Sequence, residues 1–592
     1  MASLQYVVLL LVAFNLALAC QNNARLIRAN EWRQGSLWTT NGVVVPTFSY
    51  ELKDWSLKLV FYNPLATHLT TWITTGQSST QGKMEVILYG DFNHQILTVN
   101  RDVSYFARFT KKQSNTPRGH LQCAQFCGKI KGTNTEICDG SAPAPVTQAP
   151  STGEGVCSST YNYNKVLKKS LLFYEAQRSG KLPADQRVKW RHDSTMTDGS
   201  DVGLDLTGGY FDAGDYVKFG FPMTATITNL AWGMLEFKKG YTLSGQYEYG
   251  LKAIKWGTDY FIKCHPEPNK LYGQVGNGKA DHGYWGRPED MRIKRPSFYI
   301  DKSKPGSDLA GETAAALAAS ALVFEQKGDT GYSNKLKNHA KQLYNFAMTY
   351  RKKYSDSIPD AANFYRSWSG YRDELAWASL WMFRATGDAT YKNIFLKEFD
   401  NDAFSQSPGQ FSWDNKWHGV QVLAQQLKIS NKNYLGKLKS TIQSKPRSPK
   451  GMIYIQKWGT LRHAANLAFL ARVASTMADG KFYNKFALSQ INYMLGDAGR
   501  SYVVGFGNNP PKRPHHRSSS CPVNGPCGWP QEGAPGPNPQ ILHGALVGGP
   551  DNNDNYADNR GDYVKNEVAC DYNAGFQSAI AGLIQLKNEE CG

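Results

Sequence analysis

The 592-residue chain has no long apolar run beyond its first twenty residues. The run from Leu9 to Ala19 is too short to span a bilayer, which excludes a multispan membrane protein. Ten cysteines are few for this length, so a small disulfide-stapled scaffold is excluded as well. There is no basic helix and no aromatic-basic nucleic-acid motif. The surplus of 67 Lys and Arg over 49 Asp and Glu, a formal charge of +18, is scattered in short pairs such as Lys111-Lys112 and Lys352-Lys353. It reads as a solubility feature, with no nucleic-acid and no membrane partner expected. A phosphate-binding glycine loop is missing too, because the segment Gly505 to Asn509 lacks the Lys and the strand–helix context. Hydrophobic residues at 41% and aromatic residues at 12% are ample for a core, which excludes intrinsic disorder.

What is present begins with an address. Residues 1–19 read as a signal peptide, with Ala17-Leu18-Ala19 as the small-x-small cleavage site; the alternative is a buried N-terminal helix. Secretion to the extracellular space is expected, and disulfides are then permitted. The even cysteine count allows full pairing, with connectivity left open. Cys521 and Cys527 enclose a Pro/Gly-rich loop and make a candidate local pair. No matching Cys-x-x-Cys or His set suggests zinc.

Residues 141–156, rich in Pro, Ser, Thr and Ala, read as a linker. Before it, residues 20–140 hold short strand-rich runs such as Leu57 to Tyr62 and Met84 to Tyr89, bounded by turn signals. They predict an all-β sandwich. After it, residues 157–592 turn to long amphipathic helices. The predicted spans are Lys165–Arg178, Thr224–Lys239, Tyr249–Cys264, Leu309–Lys327, Ser333–Lys352, Asp373–Thr386, Leu461–Ala478 and Phe482–Leu495. Gly328-Asp329, Gly387-Asp388 and Asp479-Gly480 punctuate them, each followed closely by Tyr. Gly stops one helix in the left-handed conformation and the acid suits the start of the next. Repeated helical hairpins of this kind bury their inner faces against one another, and a closed ring is the expected arrangement.

Four loop clusters carry chemistry. In GGYFDAGDYVKFGFPM, Asp212 and Asp215 stand three apart, a spacing suited to activating a water; a turn with Asx-type bonds is the bland alternative. The spacing of an EF-hand is absent. In SYVVGFGNNPPKRPHHRSSS, His515, His516 and Arg517 offer donors for hydroxyls or a carboxylate, or else serve structural hydrogen bonds; metal binding by the His pair is the least favoured alternative, because adjacent side chains in an extended loop diverge. In NYADNRGDYVKNEVACDYNAGF, Glu567 has apolar neighbours at the start of the last helix. That setting raises a carboxyl pKa as a general acid requires, although a helix-N-terminal Glu is an equally simple reading. The fourth cluster is aromatic: His282 and Trp285, Tyr365 and Trp368, and Trp458. Such rings stack on sugar faces, although any single Trp is more often core.

These motifs together resemble a secreted endo-β-1,4-glucanase of glycoside hydrolase family 9, most like the animal cellulases. The resemblance runs from about Asn162 to the C-terminus. It includes FYEAQRSGKLP, PSFYIDKSKPGSDLAGETAAALAAS and both family signatures, around His515–Arg517 and from Tyr556 to Asn573. It implies an all-α (α/α)6 barrel after an all-β sandwich module, a multidomain chain. It implies an inverting mechanism, with Glu567 as general acid, Asp215 as general base and Asp212 positioning the water. Asp558, His515 and Arg517 would hold the sugar and Glu567. Substrate contacts are expected at His282, Trp285, Tyr365, Trp368, Trp458, Arg462, Arg517 and Tyr572. No cofactor is required for the chemistry. A structural calcium is expected at Ser369, the Arg372 carbonyl, Asp373, Glu374 and Asp414.

The N-terminal region resembles carbohydrate-binding module family 2. Trp32, Trp72 and Phe92 match its cellulose-stacking aromatics, with Phe92 where Trp is usual, and Trp55 matches its core Trp. The partners implied are cellulose and soluble β-glucan chains, bound by a monomer. Xylan, mannan or mixed-linkage glucan as the main substrate, or a non-catalytic carbohydrate-binding protein, stand as alternatives.

Overall fold

The computed structural model describes residues 161–591, without the side chain of Cys591, and the backbone strands between Ala24 and Ile137. The chain divides into two compact units, Met1–Thr152 and Gly153–Gly592.

In the first unit the runs around Leu57 and Val86 fall in strands Leu52–Phe61 and Glu85–Gly90, paired antiparallel with Ser56 opposite Tyr89. Ala24–Gln34 pairs antiparallel with Leu37–Pro46, which pairs in turn with Val103–Phe109. The side chains of Trp32, Trp55, Trp72 and Phe92 lie outside the described residues, as do the signal-peptide and linker segments.

The second unit is built on twelve helices of ten residues or more: α1 (Tyr163–Gln177), α2 (Gly220–Glu236), α3 (Tyr247–Cys264), α4 (Ser307–Lys327), α5 (Thr330–Thr349), α6 (Arg372–Thr386), α7 (Ala389–Glu398), α8 (Trp417–Gln426), α9 (Leu435–Ser444), α10 (Thr460–Ala474), α11 (Gly480–Asn492) and α12 (Cys570–Cys591). Six of them form a closed ring. α2 packs on α4, α4 on α6, α6 on α8, α8 on α10, α10 on α12, and α12 returns to α2. The other helices pack outside; α4–α5 and α10–α11 are adjacent hairpin pairs.

Burial separates the two layers. Every residue of α10 is buried, as is the unbroken stretch Gly220–Met234 of α2. Helices apolar on all sides belong in an interior. In α5 burial is confined to positions such as Leu336, Ala340, Leu343 and Ala347, the one-faced pattern of an outer helix. Trp232, Trp377, Trp381 and Phe469 meet edge to face near the middle of the ring. The expected closed ring of hairpins is therefore present.

The punctuation behaves as its chemistry dictates, with one exception. Gly328 and Gly387 end α4 and α6 in the left-handed region, and the side chains of Asp329 and Asp388 accept backbone N–H groups of the following helix. Asp479 itself takes the left-handed conformation, at φ 46°, and makes no side-chain cap. All eight predicted helices are found, but the span predicted to Lys239 breaks at Phe237 into α2 and a short turn Lys238–Leu243. Helices α7, α8 and α9, of ten residues each, went unpredicted because they are short and interrupted by polar residues.

Cys521 and Cys527 form the expected disulfide. Full pairing of the cysteines is corrected, since Cys264 and Cys570 are free and buried. Both sit in helices among apolar neighbours, where a thiol serves as a small hydrophobe.

Candidate active site

Loops at one end of the helical ring enclose an open cleft of about 720 Å³. Asp212, Asp215, His282, Trp458, His515 and Glu567, drawn from segments far apart in sequence, all line it.

Two glycines make the assembly sterically feasible. A Cβ on Gly214 would stand 2.3 Å from the carbonyl oxygen of His515. Only Gly lets the Asp212–Asp215 turn lie against the His515 segment, where the Arg517 N–H donates to the Gly214 carbonyl at 3.2 Å. Gly459, at φ 63°, precedes α10, and a Cβ there would press within 3.0 Å of the Tyr572 ring. That close approach brings Trp458 and Tyr572 to one carboxyl group.

The carboxyl is Glu567. Trp458 Nε1–H donates to its Oε2 at 2.8 Å, and the Tyr572 hydroxyl donates to the same oxygen at 2.9 Å. Oε1 is left for another partner. Desolvation, reinforced by Asp215 and Asp571, raises the Glu567 pKa to about 7 against the two donors, which lower it. Part of Glu567 remains open to the cleft. Its position differs from the expectation of a helix start. It lies in an extended link after the turn Tyr563–Asn566, three residues before α12, and bridges to His515.

Asp215 accepts backbone N–H groups from Ala213 at 3.2 Å and Val217 at 3.3 Å, one on each oxygen. Asp212 accepts the Tyr365 hydroxyl on Oδ2. Desolvation pushes the Asp212 pKa well up, and the neighbouring Asp215 adds to the rise. Burial beside a second carboxyl thus disfavours the ionised form of Asp212.

The remaining expected residues divide by what they touch. His515 donates Nδ1–H to the Arg560 carbonyl at 2.7 Å; burial lowers its pKa to about 4, so the imidazole is neutral near pH 7. His516 is buried. Its Nδ1 accepts the Ser519 N–H and caps the turn Arg517–Ser520, while Nε2 faces Gln177 at 2.9 Å, a structural role. Arg517 is 3% exposed and donates to the carboxylate and carbonyl of Asp281. Asp281 in turn accepts the Tyr216 N–H, next to Asp215. Asp558 does not line the cleft; its oxygens accept the N–H groups of Lys512 and Arg513 at 2.8 and 2.9 Å and so fix the segment leading to His515.

His282 is exposed, with its ring stacked 4.8 Å from Phe364. Trp285 lines the cleft but is 3% exposed, with its indole N–H donated to Ser520 Oγ. Tyr365, Trp458, Arg462 and Tyr572 line the cleft. Trp368 does not; it is 74% exposed under the guanidinium of Arg366. Arg462 is spent on a buried ion pair with Asp571 at 3.0 Å, and also reaches the Trp458 carbonyl at 3.4 Å and His463 at 3.0 Å.

Sequence reasoning missed Asp281, Trp413 and Trp529, and it places Asp571 only among the dense acids around Glu567, without its partner Arg462. Trp413 lines the cleft 4.9 Å from the Tyr365 ring, and Trp529 lines it from the turn that follows the Cys521–Cys527 disulfide. An aromatic in a polar Gly-rich loop was a signal available for both tryptophans; nothing local singled out Asp281.

Ser369, Asp373, Glu374 and Asp414 gather where α6 begins. Ser369 Oγ donates to the Asp414 carbonyl at 2.6 Å, and Asp373 Oδ2 accepts the Lys416 N–H at 2.8 Å. Glu374 is fully buried with both carboxyl oxygens lacking a hydrogen bond, and the Lys416 ammonium lies 3.5 Å from Oε1. The Arg372 side chain turns away to Asp402.

Comparison with known proteins agrees with this arrangement. The profile described as Glycosyl hydrolase family 9 matches residues 163–580. Endoglucanase B of Cellulomonas fimi is 48% identical over 478 residues, covering 76% of this chain and 45% of that protein, so the chain spans less than half the length of that relative. The structure of an endoglucanase from the termite Nasutitermes takasagoensis is 57% identical, with a TM-score of 0.70, covering 72% of this chain and all of that one. A C. cellulolyticum cellulase solved with cellobiose is 35% identical, with a TM-score of 0.67 over 72% of this chain and 99% of its own. With the six-helix ring inside its outer layer of helices and the Asp212, Asp215 and Glu567 loops facing one cleft, these matches place the chain in glycosyl hydrolase family 9.

Proposed function

We propose that the protein hydrolyses internal β-1,4-glucosidic bonds of cellulose and related β-glucans with inversion at the anomeric carbon. The observation that carries this is Glu567, a desolvated carboxyl facing the same cleft as the Asp212–Asp215 pair. With both donors on Oε2, the proton of the neutral acid belongs on Oε1. Oε1 protonates the glycosidic oxygen as its bond to the anomeric carbon breaks. A water attacks that carbon from the opposite face and gives its proton to Asp215, while Asp212 and the Tyr365 hydroxyl hold the water's side of the site. Inversion requires room for that water, an acid–base separation of roughly 6.5–9.5 Å. His515, kept neutral, serves as a hydrogen-bond partner for sugar hydroxyls beside Glu567, while Arg517 and Asp558 position the loops. The neighbours' endoglucanase names and the bound cellobiose of one of them support the substrate class.

The reading extends to three further points. Residues 20–140 act as a cellulose-binding module through Trp32, Trp72 and Phe92, on the strength of their resemblance. The protein is secreted and works as a monomer; the Cys521–Cys527 disulfide suits an oxidising compartment. A calcium ion is held by Ser369, the Arg372 carbonyl, Asp373, Glu374 and Asp414. The hard-oxygen donor set and the two Glu374 oxygens without hydrogen bonds fit it, and its contribution is to stability alone.

The test is viscosity loss measured together with reducing-end release on carboxymethylcellulose. A rapid viscosity drop with few new ends supports internal cleavage. No activity from folded protein on this polymer or on mixed-linkage glucan rejects the hydrolase reading. In the full chain, Trp72→Ala should weaken retention on microcrystalline cellulose and leave the rate on soluble polymer unchanged.

A further inference from the structure

The segment from Cys521 to Asn538 has four Gly and five Pro in eighteen residues. Such a composition neither packs a core nor holds one conformation by itself. Its regular structure, among the described residues, is the turns Trp529–Gly533 and the end of Arg517–Ser520 before it. Yet the loop is fastened at both ends. The Cys521–Cys527 disulfide closes the first half, and Arg287 donates to the carbonyls of Pro522 and Gly525, each at 2.7 Å. Arg560 fastens the second half. Only 1% exposed, it donates to the carbonyls of Gln531 at 2.7 Å, Ala534 at 3.0 Å and Gly536 at 3.3 Å, and to Asn538 Oδ1 at 2.7 Å. A fully buried guanidinium committed to loop carbonyls is a large desolvation cost to accept for a spacer.

What this fastening holds in the cleft is Trp529 and Glu532. Trp529 is 53% exposed, so it does not plug a core. Its orientation is nonetheless fixed, with Nε1–H donated to the Gly283 carbonyl at 3.3 Å and its ring tilted 42° against Trp285 at 5.5 Å. Rings continue from there to the acid: Trp285 to His515 at 5.4 Å, His515 to Tyr563 at 6.0 Å, and Tyr563 to Trp458 at 5.4 Å. Trp458 bonds Glu567 and the His515 backbone bridges to it, so Trp529 stands two ring contacts out from the residues that hold the acid.

We propose that Trp529 and Glu532 form a distal subsite for a pyranose ring of the bound glucan chain. The exposed indole face stacks on the apolar face of the sugar, and the Glu532 carboxylate accepts its hydroxyl hydrogens. Because the platform is fixed in advance, little conformational freedom is lost on binding. The subsite engages only chains long enough to reach it from Glu567, so it selects for length and has no part in bond cleavage. The proposal rests on the hydrolase reading above.

The experiment uses the full chain carrying Glu567→Gln, so that oligosaccharides survive, with and without Trp529→Ala. Calorimetric affinities are measured for cellotriose through cellohexaose. Trp529→Ala should weaken cellohexaose about tenfold, the scale of losing one well-placed aromatic anchor, and leave cellotriose unchanged. Trp529→Phe should recover part of the loss, and Glu532→Gln should produce a smaller one of the same length dependence. Equal affinity at every length in the two proteins overturns the proposal. So does an equal loss at every length accompanied by a lower Tm, which would make Trp529 a structural prop. Wild-type cleavage of carboxymethylcellulose, run alongside, reports on the hydrolase reading by itself. Cleavage with length-independent affinity removes the distal subsite and leaves that reading standing.

Discussion

Trp458 donates its indole N–H to Oε2 of Glu567 at 2.8 Å. The bond matters less for its strength than for the oxygen it takes. With Tyr572 on the same atom, the carboxyl is left asymmetric, one oxygen engaged and one free to carry a proton to substrate. Replacing Glu567 by Gln keeps both acceptor bonds through the amide oxygen and removes the acid. The rate on soluble β-glucan should fall by about three orders of magnitude or more, since general-acid assistance is worth 10²–10⁴-fold. Far-UV circular dichroism should be unchanged. Retained activity would place the acid elsewhere.

The raised Glu567 pKa, about 7, predicts an alkaline limit for the proposed hydrolysis. The acid must be protonated, so kcat/KM should fall as pH rises through about 7, one decade per pH unit above it. The same group links to stability. Its folded pKa lies above the ordinary Glu value of 4.5, so the folded state binds more protons than the unfolded chain between pH 4.5 and 7. The stabilising contribution of the protonated carboxyl is complete below about pH 4.5 and is lost as pH rises through 7. Glu567→Gln, which cannot ionise, should therefore raise Tm relative to wild type at pH 8 and match it at pH 4. A Tm difference of equal size at both pH values would contradict the linkage.

The fold was more legible in the sequence than the site's supporting cast. Gly-Asp-Tyr punctuation exposed the helical hairpins because helix ends are decided by local backbone chemistry. The residues lining the cleft were legible in part because carboxylates and aromatics in Gly-rich loops have few structural uses. Asp281 was not, since its significance lies in Arg517, 236 positions away. Asp571 is likewise defined by Arg462, 109 positions earlier. Glu567 was identified but set on the wrong element, because the apolar Val568-Ala569 pair reads as helix while the backbone there is extended to bridge Val547 and His515. The Trp368 and Trp458 motifs look alike as sequence; only the turn of the chain decides that one faces the cleft and the other lies outside it.

Arg462 and Asp571 form a buried pair that touches both hydrogen-bond donors of Glu567. Arg462 reaches the Trp458 carbonyl, and its guanidinium lies 5.1 Å over the Tyr572 ring. Asp571→Asn leaves Arg462 without its counter-charge. Breaking one partner of such a pair typically costs about 3–5 kcal/mol, so Tm should drop by several degrees. A positioning role predicts more. kcat should fall about ten- to a hundredfold with KM nearly constant, and the alkaline limb of the pH profile should move as the donors shift on Glu567. A lower Tm with unchanged kcat and pH profile would reduce the pair to a structural one.

The acidic cluster at the start of α6 makes the last prediction. Glu374 is buried and lacks hydrogen bonds to both oxygens, and Asp414 is raised to about 6 by burial. Such a group either binds a proton or faces a cation. Lys416, itself buried between Glu312 and Glu374, supplies one positive charge. Asp373, Glu374 and Asp414 together carry three negative charges when ionised, more than one ammonium offsets. If calcium supplies the remainder, chelation should lower Tm by several degrees at pH 7. Calcium should restore it, while magnesium, which demands a tighter octahedron, should restore it less. The chelation effect should fade near pH 5, where these carboxyls take up protons and the ion is released. Glu374→Gln should abolish the calcium response. A Tm indifferent to chelator at pH 7 would mean that protons and Lys416 balance the cluster by themselves.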